Sequence, residues 1–411
     1  MVDKKKALQP NPNWARLPLF DRKGWKRMAF GQFADSVNER VEPADAAEEI
    51  YVGLDDLDSG SLHIRRWGKG SDVIGTKLRF RKGDIVFGRR RAYQRKLAVA
   101  EVDGICSAHA MVVRAKPAVV LPEFLPFLMM SNKFMKRAVE ISVGSLSPTI
   151  NWTTLKLEEF DLPPLDQQCR IAEILWAVDE TVVTGAENLT ALSSLKQVAM
   201  EEYTLLRKPI RSGRADKAEC PMRQLGQVAA FQYGLSCPLK ESGDYPILRM
   251  MNYDEELVAA TDMKFADMPA EVATEFEVRK GDILFNRTNS ADLVGKVGIF
   301  TLDGCYLFAS YLVRVQTNRT VLLPEFLNYY LNSPHGQNAV RAFATPGVSQ
   351  SNISAGNLKK VEVPVPSIRQ QETAIEELNR IAAAKRTCRS HESTQRALLL
   401  NFINVILGEQ P

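Results

Sequence analysis

Short apolar runs, bounded by Gly, Asp and Asn, alternate along the chain with two long stretches of helical periodicity. In the first half DIVFG (84–88), LAVAEV (97–102) and AMVVRA (110–115) read as strands, and in the second half DILFN (282–286), KVGIF (296–300) and YLVRV (311–315) do the same. One helix is expected in each half, near LPEFLPFLMMSNKFMKRAVE (121–140) and LPEFLNYYLNSPHGQNAVRAF (323–343), where a proline precedes apolar residues at three-four spacing. After Pro163-Pro164, apolar or small residues fall at Leu175, Val178, Val182, Gly185, Leu189, Leu192, Ala199 and Leu206, and Pro209 and Gly213 close the stretch. After Pro366, the pair Ser367 and Gln370 fits a capping box, and Ile375, Leu378, Ala382, Leu399, Ile403 and Ile406 carry the same rhythm. Helices of roughly 40 residues would be about 60 Å long, too long to bury against one small domain. They are expected to pack antiparallel on each other as a coiled-coil spacer, with two separate helices on their own domains as the alternative. Lys385, Arg389 and Glu392 charge the middle of the second helix, so its seam is expected to be the weaker one.

The pattern is written twice. FGQFA at 30 returns as LGQVA at 225, RKGDIVF at 81 as RKGDILF at 279, and LPEFL at 121 as LPEFL at 323. GSLSPTINWTTLK at 144 aligns with GVSQSNISAGNLK at 347, and two Pro-x-x-x-Gln-Gln junctions run from Pro163 to Gln168 and from Pro366 to Gln371. So many colinear matches indicate a tandem duplication of a unit far longer than a solenoid repeat, the size of a domain plus a connector. Two related domains on antiparallel helices would be related by a pseudo-two-fold axis. The fold class expected is α+β, with two tandem-repeated α/β domains joined by the helical spacer.

Length changes little in this picture; charge and cysteine usage change it more. With 411 residues, more than one domain is expected. No run approaches a membrane-spanning length, no apolar segment follows the cationic N-terminus as a signal peptide would, and a membrane partner is not expected. The six cysteines form no C-x-x-C pair, so neither a disulfide framework nor a zinc site is suggested and a reducing cytoplasm is the simplest location. The net charge of +4 is too small to argue for a polyanionic partner by itself.

Motifs for chemistry are sparse. There is no phosphate loop, no dinucleotide fingerprint and no nucleophile elbow. DLPPL at 161 lacks the contiguous acid-Pro-Pro and the stacking aromatic of the amino-methyltransferase motif and reads as a stop before a helix. His63, His109, His335 and His391 stand far apart without an acid or cysteine pattern and read as structural or surface residues. Gly83-Asp84 and Gly281-Asp282 read as turns entering strands, with the aspartate satisfying local backbone donors. The expectation is a binding protein with no catalytic residue, metal or cofactor. A nuclease with a duplicated fold is the enzymatic alternative, and it would need clustered acids.

What the chain does offer is a cation run. Residues 81–96, RKGDIVFGRRRAYQRK, hold seven cations against the single acid Asp84. Arg89, Arg90, Arg91, Arg95 and Lys96, with Tyr93 and Gln94 between them, follow a short strand and are expected on a loop with their guanidinium groups reaching outward. Arginine grips phosphate and reads guanine bidentately, while tyrosine and glutamine add stacking and amide donors. The matching loop, NRTNSADLVGK, offers Arg287, Thr288, Asn289, Ser290 and Lys296, which are polar but less cationic. Ser145, Ser147, Thr149 and Asn151 in the first half, and Ser349, Gln350, Ser351 and Asn352 in the second, complete the set expected to contact DNA, with RNA as the alternative. A repeated scaffold with diverged loops suits two domains that read different sequences.

Taken in order, KGDIVFGRRRAYQRKLAVAEVDGICSAHAMVV, GDILFNRTNSADLVGKVGIF and the junctions DLPPLDQQCRIAEIL and EVPVPSIRQQETAIEEL resemble the specificity subunit of type I restriction–modification systems over nearly the whole chain. The resemblance implies a first target-recognition domain over 1–162, a spacer helix over 163–208, a second recognition domain over 209–365 and a second helix over 366–411. It further implies recognition of a split double-stranded DNA site, docking of two methyltransferase subunits, association with restriction and translocation subunits, and no catalytic site in this chain. An S-like subunit of a methylation-only or other defence system, or a duplicated nucleic-acid- or protein-binding adaptor, is the alternative.

Overall fold

The strand that follows each Gly-Asp turn is the centre of a sheet. In the computed structural model, which describes residues 21–204, 220–289, 295–346 and 351–408, the first such sheet has four strands. They are β1 (Ala34–Val37), β2 (Ile85–Phe87), β3 (Leu97–Val99) and β4 (Met111–Ala115), in the order β1-β4-β2-β3 with antiparallel pairing. A second, five-stranded sheet packs beside it and includes Lys77–Phe80, Gly104–Cys106 and Ile50–Val52, the last two parallel.

The second sheet system repeats this with β5 (Ala229–Tyr233), β6 (Tyr253–Asp254), β7 (Leu257–Val258), β8 (Ile283–Asn286), β9 (Thr288–Asn289), β10 (Val297–Ile299), β11 (Leu312–Thr317) and β12 (Ser351–Asn352). Six of these form one sheet in the order β5-β11-β8-β10-β7-β6. Its first four strands correspond one for one to β1, β4, β2 and β3.

The turn that starts β2 explains why the phrase is conserved within the chain. Gly83 has φ 90° and Gly281 φ 91°, a region that only glycine adopts freely. Asp84 accepts from the Arg81 amide at 2.8 Å and Asp282 from the Arg279 amide at 2.9 Å, as the sequence suggested. The structure adds a cross-strand partner: Arg114 on β4 holds both Asp84 oxygens, Nε to Oδ1 at 2.6 Å and Nη2 to Oδ2 at 2.7 Å. That carboxylate is buried, and Arg114 is its ion-pair partner across the strands.

Where one helix was expected in each half, there are two. Here α1 (Leu125–Met130) and α2 (Asn132–Glu140) break at Ser131, which is extended (ψ 152°) and accepts from the Phe134 amide. The residue between the helices ends one and caps the next, because a serine hydroxyl offers the first turn an acceptor that an apolar side chain cannot.

The long helices are α3 (Leu165–Thr204) and, at the C-terminal end, α6 (Ile368–Leu407), each of 40 residues. The second half inserts α4 (Pro324–Asn332) and α5 (Pro334–Arg341) between them, broken at Ser333 in the same way, with Pro334 at the first position of α5. Ser367 and Gln370 form the expected capping box: the Ser367 amide donates to Gln370 Oε1 at 2.9 Å and the Gln370 amide to Ser367 Oγ at 3.4 Å. Leu206, Pro209 and Gly213 lie outside the described residues.

The Pro-x-x-x-Gln-Gln junction is a latch. Gln168, buried in α3, donates to the carbonyls of Pro163 (2.9 Å) and Val119 (3.1 Å) and accepts from the Leu121 amide (2.8 Å). Gln371, buried in α6, makes the same three bonds to Pro366 (2.8 Å), Val321 (2.9 Å) and Leu323 (2.7 Å). The second glutamine thus ties each long helix to the LPEFL segment that precedes the short helices.

The chain divides into two compact units, Met1–Ala186 with Ser390–Pro411, and Glu187–Arg389, so each unit takes half of each long helix. In the first unit Ile171, Leu175 and Val182 of α3 share one core with Leu399, Ile403 and Ile406 of α6 and with the sheet and short helices. Phe30 anchors that core, with ring centroids 5.1 Å from Phe33, 5.4 Å from Phe134 and 5.9 Å from Phe160. In the second unit Ala199 and Met200 of α3 join Ala374, Leu378 and Ile381 of α6 and the β8–β11 core. The two helices touch within each unit: Gly185 lies against Glu392 in the first, and Tyr203 bonds Glu377 in the second. Within each unit the helices therefore pack on each other, as the sequence suggested, and also on that unit's domain, as in the alternative.

The charged middle of α6 has a use of its own. Glu255, at the tip of the β6–β7 hairpin with φ 53°, pairs with Lys385 at 2.9 Å and with Arg389. Burial works against that carboxylate's charge, yet the two cations hold its pKa below the ordinary value. Cations that weaken a seam serve here to fasten a hairpin.

Candidate nucleic-acid interface

Two segments far apart in sequence meet at the end of β2. The 143–149 hairpin closes through Val143 and Thr149, each amide donating to the other's carbonyl at 3.0 and 2.9 Å. Its outer strand then pairs with the arginine run: the Arg91 amide donates to Pro148 O at 2.8 Å, the Ile150 amide to Arg89 O at 2.9 Å, and Arg90 stands opposite Thr149. The polar residues Ser145, Ser147, Thr149 and Asn151 are thereby brought beside Arg89, Arg90 and Arg91, although more than 50 residues separate them.

The second unit builds the same ladder. Thr288 and Asn289 of β9 pair with Asn352 and Ser351 of β12, Thr345 stands opposite Asn352 in turn, and the Ile353 amide donates to Arg287 O at 2.9 Å. The candidate residues Ser290, Ser349 and Gln350 lie outside the described residues, and Asn289 and Ser351 are described only as strand backbone.

Side chains in the first ladder fall into two groups. Arg90, Arg91 and Tyr93 are exposed, with Arg91 Nε 3.3 Å from Ser147 Oγ. Arg91 (φ 58°) and Arg95 (φ 53°) bracket a short turn of 3₁₀ helix, Ala92–Gln94, in the left-handed region. Two non-glycine residues held there imply a conformation fixed by its surroundings. The other group faces inward. Arg95 donates to Asn132 Oδ1 (2.7 Å) and Met130 O (2.5 Å), Lys96 to Leu54 O (2.7 Å), and Arg89 to Ala108 O (3.1 Å). Burial lowers the Arg95 pKa from its ordinary value. The expectation that the whole run reaches outward is therefore corrected: Arg95 is held at the break between the short helices, while the carbonyls of Leu54 and Ala108 take Lys96 and Arg89.

In the second ladder Arg287 lies over the Tyr233 ring at 4.9 Å and donates to Ser310 O at 3.3 Å, while Lys296 lies 5.5 Å from the Tyr253 ring centroid. Both are half-buried cations stacked on aromatic faces, where some of their charge is already engaged.

Some neighbours of the site had no signal in the sequence. A cleft of about 570 Å³ beside Arg89 is lined by Ser36, Asn38, Arg40, Thr76 and His109, which sheet topology alone brings together. His63, read as structural, bridges two carboxylates: Nε2 lies 2.6 Å from Asp179 Oδ2 on α3 and Nδ1 3.0 Å from Glu101 Oε1. The Asp179 bond raises the His63 pKa, burial opposes it, and Glu101 adds to the rise. Among the described residues no three of His, Cys, Asp and Glu gather in an arrangement that would hold a metal ion. No helix among them is long and apolar enough to cross a membrane.

A family model described as the type I restriction modification DNA specificity domain matches residues 68–192 and again residues 219–387, the two stretches that carry these ladders. The chain belongs to this family. It is similar to the EcoKI specificity subunit of Escherichia coli K12, 24% identical over 308 residues, which cover 71% of this chain and 66% of that protein, just under two thirds of its length. Among solved structures it is similar to the S subunit of the type I restriction–modification system of M. genitalium, with 14% identity, a TM-score of 0.57, and 94% and 97% of the two chains covered. A chain solved in work on complex assembly and conformational transition of the type I R-M system gives 21% identity and a TM-score of 0.55, over 94% of this chain and 99% of that one. These likenesses carry the fold: tandem specificity domains of mixed helix and sheet, with long helices at 165–204 and 368–407.

Proposed function

We propose that this chain is the DNA sequence-specificity subunit of a type I restriction–modification complex. Each unit reads one half of a bipartite double-stranded site. The long helices set the separation of the halves and dock two methyltransferase subunits, to which restriction and translocation subunits attach. The chain itself performs no catalysis. The recognition domains are 1–162 and 209–365, the spacer helices 163–208 and 366–411.

The observation that supports this most is the ladder built twice on one backbone plan with different side chains. Both units keep the pairing while the side chains mounted on it differ, as two domains that read different sequences require. In the first unit Arg90 and Arg91, with Tyr93 and the hairpin residues Ser145, Ser147, Thr149 and Asn151, form the DNA-facing set. Arg89, Gln94, Arg95 and Lys96 stand behind them as supports. In the second unit Arg287, Thr288, Asn289, Ser290, Lys296, Ser349, Gln350, Ser351 and Asn352 form the corresponding set. Phosphate contacts would fix register and base-edge contacts would fix sequence.

The test is co-expression with methyltransferase subunits of a type I system in a host that lacks such methylation, followed by genome-wide mapping of modified bases. A single motif of two defined halves around an unspecified gap is expected, and it should vanish without this chain. Methylation with no such motif would overturn the proposal.

A further inference from the structure

Leu146 stands at the tip of the hairpin in the first ladder, 92% exposed, and Val143 at its base is 69% exposed. A lone surface leucine needs no explanation. This one is set among the cations proposed to grip DNA: its stem pairs with Arg90, and the next residue, Ser147, accepts from Arg91 Nε at 3.3 Å. Tyr93, 57% exposed, rises from the turn between Arg91 and Arg95. Gly144, at φ 116°, lets the loop reverse so that Leu146 is carried at its apex.

An apolar side chain gains nothing against phosphate oxygens, and next to water and guanidinium groups it is poorly placed. It gains when it leaves water, and a duplex offers apolar surface at the thymine methyl in the major groove and, over a much larger area, at the face of a base pair. Apolar side chains that enter the stack this way do so from the minor groove and kink the duplex. The repeat alignment gives a contrast within the chain: 203 positions on, Leu146 corresponds to Ser349, a polar residue.

Resting on the DNA-specificity reading above, we propose that Leu146 is a wedge that inserts between adjacent base pairs of the half-site read by the first unit, with Arg90 and Arg91 holding the flanking phosphates.

The experiment uses the full chain in its methyltransferase assembly and duplexes carrying 2-aminopurine at successive steps of both half-sites. The native assembly should raise fluorescence about threefold or more at one step of the half-site read by the first unit, away from the target base that the methyltransferase subunits flip out in each half. Leu146→Ser should abolish that rise and weaken specific binding about tenfold, leaving the salt dependence unchanged, because no phosphate contact is lost. Leu146→Phe should retain the rise. Because the side chain lies in solvent, circular dichroism of both variants should match the native chain. No such rise with the native assembly despite specific binding, or an undiminished rise with Leu146→Ser, would overturn the wedge and leave the specificity reading standing. Absence of sequence-specific binding by the native assembly would overturn both.

Discussion

Replacing Gln168 by Ala should loosen the first unit and spare the second. The side chain makes three hydrogen bonds, to Pro163 O, Val119 O and the Leu121 amide, at 2.9, 3.1 and 2.8 Å. Each bond contributes about 1 kcal/mol net, and a backbone group left unpaired in a partly buried place adds to the loss. A total of about 2–3 kcal/mol follows, discounted from the upper range because two of the three partners are only part-buried. Since 1.4 kcal/mol is tenfold, amides protected by opening of this unit should exchange roughly 30 to 150 times faster. Hydrogen exchange followed by mass spectrometry resolves this through peptides spanning 119–130 and 163–175. Gln371→Ala should produce the same acceleration in peptides spanning 321–332 and 366–378. An acceleration below about threefold in both variants would refute the latch, because it corresponds to less than the value of one hydrogen bond.

Other expectations follow from the same geometry. Protonated His63 is held by Asp179 and Glu101 and its pKa is raised, so its contribution is complete below pH about 6.5 and is lost as pH rises through the folded value. Exchange at residues 59–64, corrected for intrinsic pH dependence, should rise over that window in the native chain and stay flat in His63→Asn. Arg95→Ala should lower the stability of the first unit by about 1–2 kcal/mol by removing its bonds to Asn132 and Met130, whereas the exposed Arg90→Ala should leave stability unchanged. In DNA titrations at several salt concentrations, Arg90→Ala should reduce the slope of log K on log salt by about one unit. Inserting seven residues after Ala186 and seven after Arg389, where the unit boundaries fall, adds about 10 Å of helix to each spacer and should widen the unspecified gap by about three base pairs. A methylation map showing the original gap would count against the spacer.

Much of the architecture was legible in the sequence because it rests on local rules. Glycine and aspartate before an apolar run specified the turn entering β2 and β8, and serine with glutamine specified the start of α6. The tandem repeat was legible because the same three-bond latch and the same turn demand the same residues twice. The break at Ser131 was missed because MMSNKF keeps an apolar period through it; Asn332-Ser333-Pro334 in the other half carried the signal. The fate of the arginine run was not legible. Whether a guanidinium faces water or a carbonyl depends on which helix end lies beside it, and Met130 reaches Arg95 only through tertiary packing. The union of 89–91 with 147–150 likewise depends on a strand pairing across more than 50 residues. Its equivalence in the two halves, GSLSPTIN against GVSQSNIS, was nevertheless readable as an alignment.

Under the proposed function, two structurally alike units read two halves of one site independently. Replacing residues 1–162 with the corresponding domain of a family member of known target, in the full chain assembled with its methyltransferase subunits, tests it through the methylated motif. A hybrid motif is expected, in which one half becomes that of the donor while the other half and the gap remain. A motif changed in both halves, or in neither, would contradict it.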